Sequence, residues 1–210
     1  MATRFYLSST ATSGVSPPYT VGAYNQTGAA VRKSLLFTRD GSAQAYSYYS
    51  VLAGDTCLMQ QFTSEPISAG AITGTIAYSI RSATGGSLTN VSINVRVISA
   101  DGSTVRGTLL SHASSNDSTI PGATTTSTYI SNTLSSVTAL AGDRLCIEFA
   151  ATEQNDDDVG FTTYYGCPNG TDLAANSTDT SAKDGWIEFS QTITVNTAPY
   201  VANFGLLGLF

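Results

Sequence analysis

The stretch Val91–Ser99 limits the fold more than any other part of the chain. Val91, Ile93, Val95 and Val97 alternate with Ser92, Asn94 and Arg96. A period of two gathers the apolar set on one face of a strand, whereas a helix would scatter it around its circumference. Arg144–Ala151 repeats the pattern with Leu145, Ile147 and Phe149, and Ile72–Arg81 does so with Ile72, Gly74, Ile76, Tyr78 and Ile80. Composition agrees. The 210 residues include 27 Ser, 30 Thr and 19 Gly, but only two lysines, Lys33 and Lys183. Helices lean on Ala, Leu, Glu and Lys, while Thr, Val, Ile and Tyr fit a pleated sheet and Gly fits its turns. The sequence predicts an all-β protein.

Further strands are expected at Val31–Thr38, Gln44–Leu52, Thr56–Thr63, Thr104–Leu110, Val159–Tyr165 and Trp186–Val195, with a weaker one at Tyr129–Val137. Arg39-Asp40-Gly41-Ser42 reads as the turn of a hairpin. Residues 111–126 and 166–184 are polar loops without an apolar period, the first with room for a short edge strand. Ala53-Gly54-Asp55 and Ala141-Gly142-Asp143 are matching turns, each ahead of an apolar-alternating strand. Their Gly supplies positive φ and their Asp can bond its own backbone. Short strands at 8–12-residue spacing, with no 40-residue repeat, favour a jelly-roll-like β-sandwich over a propeller.

Two ends flank this sandwich, which is expected over 31–197. Residues 1–30 read as an extended N-terminal arm, because Pro17-Pro18 fixes a polyproline-like path. Residues 198–210 form an apolar C-terminal tail without a charged side chain. Exposed together, Phe204, Leu206, Leu207, Leu209 and Phe210 would form an aggregation-prone patch. Phe5, Tyr6 and Leu7 in the arm, and those five with Tyr200 in the tail, are therefore the expected interaction residues, docking on neighbouring subunits of a homo-oligomer, with the protein's own sandwich as the alternative for the tail.

Net charge is -6, and no Lys/Arg cluster is visible. Binding to a phosphate backbone needs such a cluster, so nucleic acid is not an expected partner. No apolar run reaches the length of a membrane-spanning helix, and the first residues lack the apolar core of a secretory signal. Synthesis in a cytoplasm is expected. Cys57, Cys146 and Cys167 follow no metal-binding spacing and read as free thiols, since a Cys57–Cys146 bridge would need two adjacent strands.

Residues that carry chemistry are sparse. His112, the one histidine, sits in a Ser-rich loop without a Gly-x-Ser-x-Gly motif, and reads as a solvated side chain. Asn155-Asp156-Asp157-Asp158 could offer oxygens to calcium but lacks EF-hand spacing, and reads as a solvated turn. A glycosidase pair could be drawn from Glu148, Glu153, Glu188 or the aspartates, but the separation that defines such a pair is not a sequence property. No catalytic residue, metal ligand or cofactor is assigned. Tyr46 and Tyr48 share one strand face and form a candidate aromatic platform, for sheet packing, a protein interface or a sugar ring.

The opening Met1–Leu7 with Val15-Ser16-Pro17, Asp101–Leu109, Ala141–Arg144 and Trp186–Ser190 resembles a group of small tailed-bacteriophage structural proteins. The apolar tail lies outside that pattern. The resemblance implies a non-enzymatic virion component. The expectation that follows is a capsid decoration, cement or head-associated protein, assembled in host cytoplasm and bridging major capsid or other virion proteins. The alternatives are a tail or fibre-associated protein, with a host glycan as partner, and a free carbohydrate-binding module.

Overall fold

The computed structural model describes residues 1–20, 23–27, 30–84, 89–112, 118–120, 125–153, 158–168, 170–175 and 182–196. Among them are fourteen strands and no helix. In chain order these are β1 (Thr3–Leu7), β2 (Val31–Leu36), β3 (Ala45–Val51), β4 (Thr56–Ser64), β5 (Gly70–Ile72), β6 (Thr75–Thr84) and β7 (Thr89–Ile98). They continue with β8 (Val105–Leu110), β9 (Ser118–Ile120), β10 (Thr125–Thr133), β11 (Val137–Ala139), β12 (Arg144–Glu153), β13 (Val159–Tyr165) and β14 (Trp186–Phe189).

One large sheet runs β3-β13-β6-β14-β1-β2-β4-β12-β7-β8, with β10 on β6 and β9 on β7, and β11 and β5 form a separate pair. Neighbours are antiparallel except β2 and β4, which run parallel. The sheet rolls over on itself. β6 and β12 are far apart in this order, yet Tyr78 meets Phe149 with ring centroids 5.5 Å apart, and Phe62 of β4 meets Tyr165 of β13 at 6.0 Å. The inner faces so joined hold Val91, Ile93, Val95 and Val97 of β7 and Leu145, Ile147 and Phe149 of β12, all fully buried. The all-β sandwich expected from the alternation is the observed fold.

The matching turns behave alike. Gly54 and Gly142 both take positive φ, and the Asp55 and Asp143 amides donate to the carbonyls of Leu52 and Leu140. The strands that follow them, β4 and β12, pair with each other. Cys57 and Cys146 therefore lie on adjacent strands, but opposite Ala151 and Thr63 respectively, and all three cysteines are free thiols.

Several expectations need correction. Val31–Thr38 and Gln44–Leu52 are not a hairpin: β2 lies between β1 and β4, and β3 pairs only with β13 at the sheet edge. The expected strand Ile72–Arg81 is broken at Gly74, whose φ of +88° and the Ser190 hydroxyl, 2.5 Å from where a Cβ would stand, suit glycine alone. Trp186–Val195 stops at Phe189, because Ser190 and Gln191 turn their side chains onto the amides of Thr75 and Thr73.

The largest correction concerns the start of the chain. Thr3–Leu7 is a central strand between β14 and β2. Phe5 and Leu7 are fully buried in this chain's own core, with Phe5 edge-on to Phe189 at 6.0 Å, so these two do not dock on a neighbouring subunit. Tyr6 points outward beneath the Arg39 guanidinium, 4.5 Å from its ring centre. Tyr200, Phe204, Leu206, Leu207, Leu209 and Phe210 lie outside the described residues.

Candidate functional site

The outer face of the sheet carries two features, one exposed and one covered. The exposed one is on β3 and β13. Alternation along β3 turns Ser47 and Val51 inward and Tyr46 and Tyr48 outward, where they are 65% and 60% exposed. Register places Tyr46 opposite Tyr164 of β13, and their ring centroids are 6.2 Å apart. The Arg81 guanidinium of β6 lies 4.2 Å over the Tyr164 ring and donates to Gln44 Oε1 at 2.8 Å. Stacking on an aromatic face holds a guanidinium in place while part of its N–H edge stays available.

Tyr48 is folded down onto β13 over Gly160. A Cβ at Gly160 would stand 2.7 Å from the phenol oxygen and 3.0 Å from Cε2 of that ring. The glycine is therefore the gap that lets the ring lie against the neighbouring strand with its other side in solvent. Tyr46 and Tyr48, the two residues of the expected platform, are both exposed on this face. The Tyr164-Tyr165 pair also stands out in the sequence, but only strand register brings Tyr164, Arg81, Gln44 and Gly160 beside Tyr46 and Tyr48.

The covered feature lies across β2, β4, β12 and β7. Residues 8–20 and 23–26 cross this face as a strap. The Ser34 amide donates to Ala11 O at 3.0 Å, and Gln26 bridges to Cys57. Beneath the strap the polar positions of the alternating strands converge on the buried Glu148. Its carboxylate accepts from Arg96 Nη2 at 2.5 Å and Gln61 Nε2 at 2.9 Å on the sheet. From the strap it accepts from Thr20 Oγ1 at 2.6 Å and Tyr24 Oη at 2.9 Å. Arg96 also donates to Pro18 O at 2.9 Å, and Arg32 and Gln61 donate to Pro17 O. Burial and the facing Glu148 charge both push the Tyr24 phenol well above its ordinary value, so it remains a donor. This cluster clamps the strap in place. Glu148 itself is fully buried beneath it.

The remaining sequence candidates are scattered. Glu188 on β14 pairs with Arg4 at 2.9 Å, and Arg4 also holds Asp172 and lies 4.0 Å over Trp186. Glu148 and Glu188 thus sit in separate ion-pair systems. The His112 ring lies 6.4 Å from that of Tyr24. Asp158 accepts from the Ala53 amide at 3.2 Å, and residues 155–157 fall outside the described set. No group of three metal-ligating side chains occurs among the described residues.

No family model matches the sequence, and no curated protein matches it. Solved structures do match the fold. Two structures of a CocE/NonD family hydrolase from Staphylococcus aureus align with TM-scores of 0.52 and 0.50 at 10% sequence identity. They cover 93% and 90% of this chain and 36% of the hydrolase chain in each case. The chain thus spans about a third of the hydrolase it matches, and the likeness is one of fold. These findings correct the reading taken from the phage resemblance: the fold neighbours are hydrolases, and nothing matched supports a phage family. The virion, decoration, tail and fibre roles, and the assignment as a non-enzymatic chain, are withdrawn on that ground.

Proposed function

We propose that the chain is the β-sandwich module of a hydrolase, and that it holds a saccharide-bearing ligand against the outer face of β3 and β13. The observation that carries the reading is Tyr48 lying over Gly160 with its outer side exposed, beside Tyr46 and Tyr164. A pyranose presents a flat face of C–H bonds that stacks on an aromatic ring, and nearby Arg81 and Gln44 supply polar groups for its hydroxyls. The fold likeness, which covers nearly all of this chain but only a third of a hydrolase, supports a module that works alongside a catalytic partner.

The test is binding of the full chain to neutral cello-, xylo- and chito-oligosaccharides by titration calorimetry, with Tyr48→Ala and Gly160→Ala as variants. Losing one stacked ring costs about 0.5–1.5 kcal/mol beyond the lost area, so Tyr48→Ala should weaken binding several-fold. Gly160→Ala should do the same by lifting the ring. The reading fails if none of the three classes binds, or if both variants bind as the parent does.

A further inference from the structure

A concavity lies at the turn between β7 and β8 and the start of β12. It is a groove of about 490 Å³ whose walls include Ser99, Ser103, Thr104, Arg106 and Arg144. That volume lies within the usual range of small-molecule clefts, about 300–1,000 Å³.

Its charge is unusual for this chain. Arg4, Arg39, Arg96 and Arg106 each pair with a carboxylate, while Arg32 and Arg81 each lie over a tyrosine ring. Arg144 does neither among the described residues. Its Nε donates to Ala100 O at 3.1 Å and its Nη1 to Ser64 O at 2.8 Å. Two backbone carbonyls thus fix the plane of the guanidinium. They leave the rest of its five N–H donors without a partner among the described residues. The acid in the groove, Asp101, is occupied within its own turn, accepting from Ser99 Oγ at 2.5 Å and the Ser103 amide at 3.1 Å. On the other wall, Arg106 is held through Nε by the buried Asp143.

We propose that this groove binds a small organic carboxylate, with Arg144 pairing its charge. A guanidinium already fixed by backbone carbonyls loses little freedom when it meets a planar carboxylate, and its fork matches the two oxygens. Arg106, its charge balanced by Asp143, offers its remaining N–H groups as donors, and the Ser103 and Thr104 hydroxyls also line the groove. The site is separate from the β3–β13 face and does not depend on the ligand assigned to that face.

The experiment is amide NMR of the full chain, titrated with D-glucuronate and, separately, with neutral D-glucose. D-glucuronate should give saturable shifts at amides within 99–106 and 144–145 that weaken as salt is raised, and D-glucose should leave these amides unmoved. Arg144→Gln should weaken D-glucuronate binding about tenfold, the loss of one charge-assisted contact, and Arg144→Lys should recover only part of it. Thermal unfolding reports whether Arg144→Gln remains folded, and the comparison of the two sugars on the parent protein decides the matter without any variant. Equal shifts from both sugars, or none from D-glucuronate at these amides, would overturn the proposal. Shifts at Tyr46, Tyr48 or Tyr164 report on the other face and leave this outcome unaffected.

Discussion

Substituting Arg96 by Met removes one half of a buried ion pair whose other half cannot reach water. Arg96 Nη2 lies 2.5 Å from Glu148 Oε1, and both side chains are buried under the strap. Glu148 would keep its bonds from Gln61, Thr20 and Tyr24 but lose its counter-charge. Breaking a buried pair in this way costs about 3–5 kcal/mol, a large share of the roughly 5–15 kcal/mol that a domain has available. Glu148→Leu alone should cost a similar amount, since it strands the Arg96 charge. The double variant should not cost the sum. With both charges gone, its remaining losses are the partners of four groups, the donors of Gln61, Thr20 and Tyr24 and the Pro18 carbonyl, about 1 kcal/mol each where they cannot find water. A urea-unfolding double-mutant cycle should therefore show a coupling energy of several kcal/mol, well beyond the ~0.5 kcal/mol within which independent sites add. Limited proteolysis supplies a local readout. Arg96 also holds Pro18 O, so Arg96→Met should speed cleavage within residues 8–20 more than Tyr48→Ala does. Additive single costs, or a strap cut no faster, would refute the account of the pair as the clamp.

Two further outcomes follow from titrating groups. Burial pushes the thiols of Cys57, Cys146 and Cys167 up to about 11, about 12 and about 12, and only the thiolate attacks a disulfide reagent. At pH 8 the folded chain should therefore leave all three unmodified, and urea should release three reactive thiols; a fast-reacting thiol in the folded state would contradict the burial. At Asp40, burial alone would raise the carboxyl, but the hydrogen bonds from Ser8, Ser42 and Thr10 outweigh it and hold the group below its ordinary value. A carboxyl lowered in the folded state adds stability above its unfolded value of about 3.9, and that stability is lost as pH falls through the folded value. Asp40→Asn should flatten the acid limb of a stability–pH curve while changing its slope little near neutrality, and an unchanged acid limb would show the turn to be unlinked.

The strands that could be read from sequence are those whose local alternation is long enough to be unambiguous. β7, β12 and β13 carry their core-facing residues at every second position; burial alternates in step along β13, while β12 and the described side chains of β7 are buried on both faces. β1 escaped because five residues give only Phe5 and Leu7 as a pattern, and because its partners are β2 and, from the far end of the chain, β14. The same limit applies to pairing. The Asp-Gly turn at 40–41 suggests a hairpin, yet β2 finds a parallel partner in β4 instead, a choice made by burial of Leu35 and its neighbours and not by the turn. Tyr46 and Tyr48 were visible as a shared face, whereas Tyr164 and Arg81 join them only through the pairing of β13 with β3 and β6.

Period also says which residues share a face, but not what covers that face. Asn94, Arg96, Gln61 and Glu148 fall on the polar side of their strands, where solvent is the simplest neighbour. In the fold that side faces the strap, and the four side chains are buried. A second apolar layer there would have needed a helix or another sheet, and the chain supplies only an extended segment whose prolines free their carbonyls for side-chain donors. Arg96, Arg32 and Gln61 take those carbonyls, and Thr20 and Tyr24 return donors to Glu148. The strap is therefore specified by polar matching instead of by apolar area. That is why its destination was hidden in a sequence read for hydrophobicity, and why one buried guanidinium holds so much of it in place.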